Sequence, residues 1–335
     1  MLRARHLRLA ARVAAHAPRR LHPFEVQAAL LNACDLKCVY CRCPEVKTAL
    51  LTTAQWTAAI AGLGRLGTLR IKFQGGEPTL RGDFRQLCAA TRAAGILAAV
   101  VSNGQGIADD PTLLEELDEV VLSLDSPRAD ANDAQRGPGV HANVLRAIEH
   151  ARARGVRTYI NMVVTRATLS DIEAMLAFCE ARALGLNIQP VVFGREYYDA
   201  SARALALDRE QMLALHAQLA AWARAGRGLM FAAASYAQFA RWPDHTVLTT
   251  PSDGPSTCMA GRFYVHIEPN GDVHPCGIHG ATRFAAGNLA RDGLEAALEN
   301  ARTHDCGDCY APYLNERKAL FGLRPAALLA AVRRG

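Results

Sequence analysis

Three cysteines, Cys34, Cys38 and Cys41, stand in the run Cys-Asp-Leu-Lys-Cys-Val-Tyr-Cys. Thiolates this close in a chain converge on one metal centre, and two chemistries fit. With Cys43 as a fourth donor the set closes a tetrahedral zinc site. As three ligands of a four-iron cluster it leaves one iron open to an external ligand. A second set comprises Cys258, Cys276 after seventeen intervening residues, and Cys306-Gly-Asp-Cys309. Its four thiolates close either a zinc ribbon or a cluster whose irons are all capped by protein. Of the ten cysteines, Cys88 and Cys179 fall in apolar helical stretches and read as small core residues, and Cys43 reads as a spare thiol beside the first set. The chain opens without the apolar stretch of a secretory signal, which makes metal or redox duty a better account of so many thiols than a disulfide framework.

These residues need a scaffold, and the sequence supplies a repeating one. Runs rich in Val, Ile and Leu alternate with Ala- and Leu-rich helical patterns from residue 25 to about 192, the pattern of βαβ units and a parallel sheet. Six strands are expected, near Glu25–Leu31, Leu69–Phe73, Ala98–Ser102, Val120–Leu124, Thr158–Val164 and Leu186–Val192. The helices between them are expected near 53–66, 83–94, 112–117, 140–154 and 170–183, with another at 208–225. The fold class is therefore α/β: a partial (β/α)6 TIM-like barrel followed by a small domain of β-hairpin plus helix that carries the second cysteine set. Pro243, Pro251, Gly254 and Pro255 mark the connection. Asn270-Gly271, a dipeptide suited to a turn with two positive-φ residues, joins strands at Arg262–Glu268 and Asp272–Pro275. Helices near 293–302 and 315–333 finish the chain, giving a basic helix at 1–24, a barrel with trailing helix at 25–240 and an auxiliary domain at 255–335.

On this scaffold the first cysteines follow strand one, and the chain resembles the radical S-adenosylmethionine (SAM) superfamily, whose signature is CxxxCxxC with an aromatic before the last cysteine, here Tyr40. Further motifs follow successive strands in order. Gly75-Gly76-Glu77-Pro78 resembles the family's GGEP, where glycines admit a ligand close to backbone and a carboxylate accepts from an ammonium. Ser102-Asn103-Gly104 is similar to TNG and Ser123-Leu124-Asp125 to SLD, whose side chains meet the ribose hydroxyls. Asp133 and Arg136-Gly137 echo HD-x-x-RG, with Asn132 in place of His. The resemblance implies cofactor contacts from Tyr40, Gly75, Gly76, Glu77, Pro78, Asn103, Ser123, Asp125 and Arg136, with Arg136 meeting the SAM carboxylate. It implies a SAM-binding 4Fe-4S cluster on Cys34, Cys38 and Cys41 that cleaves SAM to a 5′-deoxyadenosyl radical, and a flavodoxin- or ferredoxin-type electron donor. The second set resembles the twitch domain, the short relative of SPASM. It implies an auxiliary 4Fe-4S cluster on Cys258, Cys276, Cys306 and Cys309, and Asn315 and Ala319 stand where a longer SPASM run has cysteines.

A capped auxiliary cluster fits net two-electron oxidation, so the leading expectation is oxidation of a small molecule such as a sugar or natural-product intermediate. Peptide maturation by crosslinking, epimerisation or thioether formation is the alternative. The 24 residues before the first strand are short for a leader-recognition domain, which tilts the expectation towards small substrates. Lipid modification is a third reading. Residues 1–24 hold Arg3, Arg5, Arg8, Arg12, Arg19 and Arg20 and no acid, and they account for the whole net charge of +6. That leaves a neutral body unsuited to nucleic acid, while the basic N-terminus offers a peripheral membrane contact. With no spanning helix or secretory signal, a cytoplasmic enzyme is expected. Arg195, Glu196, Tyr197 and Tyr198 follow strand six as a charged loop, and His266, Glu268 and His274 are expected on a solvated hairpin face.

Overall fold

In the computed structural model, residues 23–191, 200–242, 244–247, 249–251, 258–277, 287–304 and 306–321 are described. The basic N-terminal segment, the loop Arg195–Tyr198 and the chain beyond Phe321 lie outside them. Six parallel strands form in the expected places: β1 Glu25–Ala29, β2 Arg70–Gln74, β3 Leu97–Ser102, β4 Glu119–Ser123, β5 Arg157–Val164 and β6 Gly185–Pro190. They pair in chain order, each parallel to the next, so every connection is a crossover from one end of the sheet to the other. The barrel helices are α1 Thr53–Leu66, α2 Phe84–Ala93, α3 Gln105–Asp109, α4 Ala129–Arg136, α5 Val140–Ala153 and α6 Ile172–Ala181; α7 Ala200–Leu205, α8 Arg209–Arg224 and α9 Ala233–Ala237 follow. In α1 a capping box of Thr52 and Gln55 starts the helix, and Gly67 at φ 89° ends it. Its Trp56, Ile60 and Leu63 bury one face against the sheet.

Two expectations fail locally. The helix expected at 112–117 is a 3-10 turn, Pro111–Leu114, in which the Thr112 N–H donates to the Asp110 side chain at 3.0 Å. The helices α3 and α4 escaped notice because one is a single turn and the other, Ala-Asp-Ala-Asn-Asp-Ala-Gln-Arg, carries no apolar stripe.

The C-terminal part adds β7 Thr249–Pro251, β8 Tyr264–Ile267, β9 Asp272–His274, β10 Gly287–Asn288 and β11 Cys306–Cys309, with α10 Leu289–Asp292, α11 Leu294–Ala301 and α12 Pro312–Phe321. The hairpin forms, but not on a turn with two positive-φ residues. Only Gly271 of the pair has positive φ, 92°. Pro269 at the preceding position favours a type I turn, closed by Gly271 N–H to Glu268 O at 2.9 Å with the glycine as the left-handed residue. Strand β8 runs parallel to β1, with Glu25 opposite Tyr264 and Gln27 opposite His266. The barrel sheet thus continues into the C-terminal module as one nine-stranded sheet, ordered β10-β9-β8-β1-β2-β3-β4-β5-β6.

Strand alternation sorts the side chains into two populations. Val26, Ala28, Ile71, Phe73, Val120 and Leu122 face the helices and are fully buried. Glu25, Gln27, Arg70, Lys72, Gln74 and Tyr159 face inward on a cavity of about 520 Å³.

Candidate functional site

The first cysteines ride on the loop between β1 and α1, at the carboxyl ends of the strands, where barrel loops carry chemistry. Gly75 and Gly76 set where that loop leaves β1. Gly76 N–H donates to Leu31 O at 2.8 Å and Glu77 N–H to Ala33 O at 2.9 Å. A Cβ on Gly75 would lie 2.2 Å from Leu31 O, and one on Gly76 would lie 2.1 Å from Ala33 O. The close approach these glycines permit here is therefore to the chain's own carbonyls. Pro78 opens a short 3-10 turn behind them.

Glu77 is fully buried and accepts four hydrogen bonds: from Thr79 N–H at 3.1 Å, Thr79 Oγ1 at 2.7 Å, Ser102 Oγ at 2.9 Å and Asn103 N–H at 2.7 Å. Burial pushes its carboxyl pKa up and these donors oppose the shift. It staples the loop after β2 to the loop after β3. Asn103 then reaches the cysteine loop, its Nδ2 donating to Asp35 at 2.6 Å and lying 3.7 Å from Cys34 Sγ.

A second set of contacts holds the far end of the loop. Tyr40 donates to Asp125 Oδ2 at 2.6 Å, while Arg136 Nη2 donates to Oδ1 at 2.9 Å and its Nε lies 2.8 Å from Oδ2. Asp125 Oδ1 also accepts from Val163 N–H at 2.9 Å, and Asn132 accepts from Asp125 N–H at 3.0 Å. Where the family motif has His, Asn132 thus fixes the end of β4. Asp133 lies outside this group and accepts from the N–H groups of Gly139 and His141. Ser123 is buried as the last residue of β4. The structure therefore brings Tyr40, Asp125 and Arg136 into one buried polar cluster against Cys38 and Cys41, with Glu77 and Asn103 in another against Cys34.

All ten cysteines are free thiols. Among the described residues no three His, Cys, Asp or Glu side chains already form a closed metal-ligating group, so the fit rests on donor chemistry. Burial pushes the Cys34 thiol up to about 12, with Glu77 and Asp35 adding to the rise, and raises Cys38 and Cys41, on which Arg136 acts in the opposite direction. Such thiols ionise against a cation, as cluster ligands do. Cys43 is buried beside Asn32, and Cys88 and Cys179 are core residues as expected.

The second set converges in the C-terminal module. Cys276 and Cys309 are buried in one apolar cluster with Ala260, Tyr264, Ala311 and Leu314, and Cys258 packs against it. Burial, and after it the nearby Cys258, Cys276 and Cys306, hold the Cys309 thiol well above its ordinary range. Three thiols that raise the pKa of the fourth at an apolar site suit a cluster capped by all four.

The solvated face expected for His266, Glu268 and His274 is overturned, since all three are buried. Continuation of the sheet turns His266 and Glu268 into the barrel cavity, where His266 Nε2 lies 3.1 Å from Glu268. The cavity itself was missed by sequence reasoning. Its signal was present, because Glu-Val-Gln-Ala-Ala and Arg-Ile-Lys-Phe-Gln alternate polar and apolar residues. A parallel sheet packed on both faces would read as continuous apolar runs.

Comparison with known proteins agrees with this arrangement. A family model described as the radical SAM superfamily matches residues 29–179, and one described as an iron-sulfur cluster-binding domain, SPASM, matches residues 258–318. A PqqA peptide cyclase of Gluconobacter oxydans (strain 621H) is 31% identical over 264 residues, covering 76% of this chain and 70% of the relative. A mycofactocin maturase of Mycobacterium ulcerans (strain Agy99) is 30% identical over 275 residues, 79% of this chain and 71% of the relative. The crystal structure of Streptococcus suis SuiB bound to S-adenosylmethionine has the same fold, with a TM-score of 0.64 at 19% identity, over 93% of this chain and 79% of that one.

Proposed function

On the premise that this chain belongs to the radical SAM superfamily and carries a C-terminal SPASM-type iron-sulfur module, we propose that it matures a ribosomally made peptide by closing a new bond within it. The observation that carries this reading is the similarity, near 30% identity over 76% and 79% of this chain, to relatives named for work on peptides or as maturases. It displaces small-molecule oxidation as the leading account. Among the described residues no helix is long and apolar enough to cross a membrane, and the chain ends on which the lipid reading rested lie outside them.

When bound, the cluster on Cys34, Cys38 and Cys41 with its SAM supplies a 5′-deoxyadenosyl radical that abstracts hydrogen. Gly75, Gly76, Pro78, Asn103 and Ser123 line the strand ends where SAM would be held, and Glu77, Asp125, Tyr40 and Arg136 keep the cysteine loop in register with them. The inward faces of β1, β2, β5 and β8 shape the chamber for the peptide residue. Bond closure removes two hydrogens from the peptide, one as the abstracted atom and one as a proton plus an electron. A flavodoxin- or ferredoxin-type donor would give the one electron that SAM cleavage consumes, and Cys258, Cys276, Cys306 and Cys309 would hold a centre able to take up the one electron the peptide loses and return it to that carrier.

The test is mass spectrometry of candidate precursor peptides, taken from short reading frames near this gene, incubated with anaerobically reconstituted enzyme, SAM and dithionite. The expected product has lost two hydrogens and resists fragmentation between the joined residues. An unchanged peptide, alongside an amino sugar that is oxidised under the same conditions, would restore the small-molecule reading.

A further inference from the structure

The inward face of the barrel is built in layers, and its charges do not balance evenly between them. Register places Glu25 beside Arg70 on the floor, Gln27 beside Lys72 in the middle and Ala29 beside Gln74 at the top, with His266 flanking Gln27 on β8. On the floor the two carboxylates are already taken, shared among three guanidinium groups. Arg70 donates to Glu25 at 2.6 Å and to Glu119 at 2.8 Å, Arg317 of α12 also pairs with Glu25, and Arg157 lies 4.0 Å from Glu119. Lys72 differs. It lines the cavity, yet among the described residues it forms no hydrogen bond or ion pair at contact distance. The layer above offers no free carboxylate, because Glu268 is engaged by His266.

Lys72 is half-buried and opens onto the cavity, and a cation that lines a cavity without a contact partner is placed to meet an anionic group of a ligand. We propose that the middle layer of the barrel is a carboxylate-binding subsite, in which Lys72, flanked by Gln27 and Gln74, receives an acidic group of the substrate. Burial, with Arg70 adding to it, lowers the Lys72 ammonium to about 8, while Glu25 and Glu119 act in the opposite direction and Arg317 in the same one. His266, Glu268, Arg157 and Tyr159 are the other charged or titratable groups facing this layer. The inference rests on the peptide reading only for the source of the carboxylate, either an Asp or Glu side chain or a chain terminus.

The experiment is equilibrium binding to reconstituted enzyme, by calorimetry, across pH 7 to 10. The probes are acetyl-glutamate amide, its neutral glutamine counterpart, and acetyl-dialanine with a free terminus. One of the two carboxylate probes should bind where the neutral probe does not, and which one binds identifies the source. Its affinity should be flat below pH 8 and then fall about tenfold per pH unit as Lys72 loses its proton. Lys72→Met should weaken binding at least about tenfold, and Lys72→Arg should keep binding while removing the fall above pH 8. Iron content and melting temperature report whether each variant is folded; if Lys72→Met is not, the arginine variant and the pH profile decide. Equal binding of the neutral probe overturns the proposal, as does parent-like binding by folded Lys72→Met. So does the absence of carboxylate-dependent binding at about 20 mM, above the millimolar range of a single ion-pair contact, or competition by SAM, which would make the site a SAM subsite. None of these outcomes depends on whether a peptide is converted, so failure here and failure of the maturase reading are distinct.

Discussion

The two cysteine sets are held in opposite ways. Cys34, Cys38 and Cys41 are half-buried on an irregular loop, anchored through polar contacts to the ends of β2, β3 and β4. Cys276 and Cys309 are buried, with Cys258 packed beside them, in a small apolar core that the thiols themselves help to form, and Cys306 is buried as well. A site that admits an outside ligand cannot be filled by packing, so hydrogen bonds one layer back must aim it. A site that admits nothing can be packed shut, and then its metal centre also staples the fold. The first set should therefore fail chemically when a ligand is lost, and the second should fail structurally and in electron flow.

The largest expected effect is at the open site. Cys38→Ala should abolish 5′-deoxyadenosine formation under dithionite, because two thiolates do not hold a cluster with one iron free for SAM. Iron should drop from about eight to about four per chain while the C-terminal module keeps its share. SAM cleavage at the parent rate would break the assignment of the open site. At the closed site, Cys306→Ala with Cys309→Ala should also reduce iron to about four, yet leave 5′-deoxyadenosine formation intact and abolish oxidised product. Iron content and circular dichroism separate lost electron transfer from lost folding. A folded double variant that makes as much product as the parent would leave the second cluster a structural role only.

How far the sequence reveals each region follows the same division. The ligands of both sites were legible because cysteine is rare and its spacing specific, and the six strands were legible because buried parallel strands are rich in branched residues. Less visible was how Glu77 and Asp125 act. As motif residues they read as ligand contacts, whereas their carboxylates here are committed to protein donors that include Ser102, 25 residues from Glu77, and Tyr40, 85 residues from Asp125, separations that no local pattern encodes. The same holds for His266 and Glu268. Alternation placed them on one face of the hairpin, but the pairing of β8 with β1 decides that this face looks into the barrel.

Asp125 tests the claim that buried polar contacts aim the open site. It is fully buried and neutralises Arg136, itself only 5% exposed, so Asp125→Ala leaves an uncompensated charge and should cost about 3–5 kcal/mol. Denaturation followed anaerobically would measure this. Asp125→Ala combined with Arg136→Met should recover much of the loss, since the orphaned charge is then removed too. If the double variant is no more stable than the single one, the cluster contributes through its geometry instead of its charge balance.

Tyr40→Phe is the smallest perturbation of the same cluster and the sharpest. The phenol donates one hydrogen bond, 2.6 Å long, to Asp125 Oδ2, and removing a bond to a charged group costs about 1.5–3 kcal/mol. Two features place the expected cost at the low end, near 1.5 kcal/mol. Arg136 Nε stays 2.8 Å from the same oxygen, so the carboxylate is not orphaned. The ring keeps its contacts with Val191, Ala202 and Ala206, and its place about 5.8 Å from the Arg136 guanidinium. The melting temperature should fall by about 2–4 °C, iron should be unchanged, and SAM cleavage should slow by less than about tenfold. Loss of the first cluster from a folded Tyr40→Phe protein would contradict distributed anchoring, because one hydroxyl would then be holding the loop that contacts from Asn103 and Gly76 also hold.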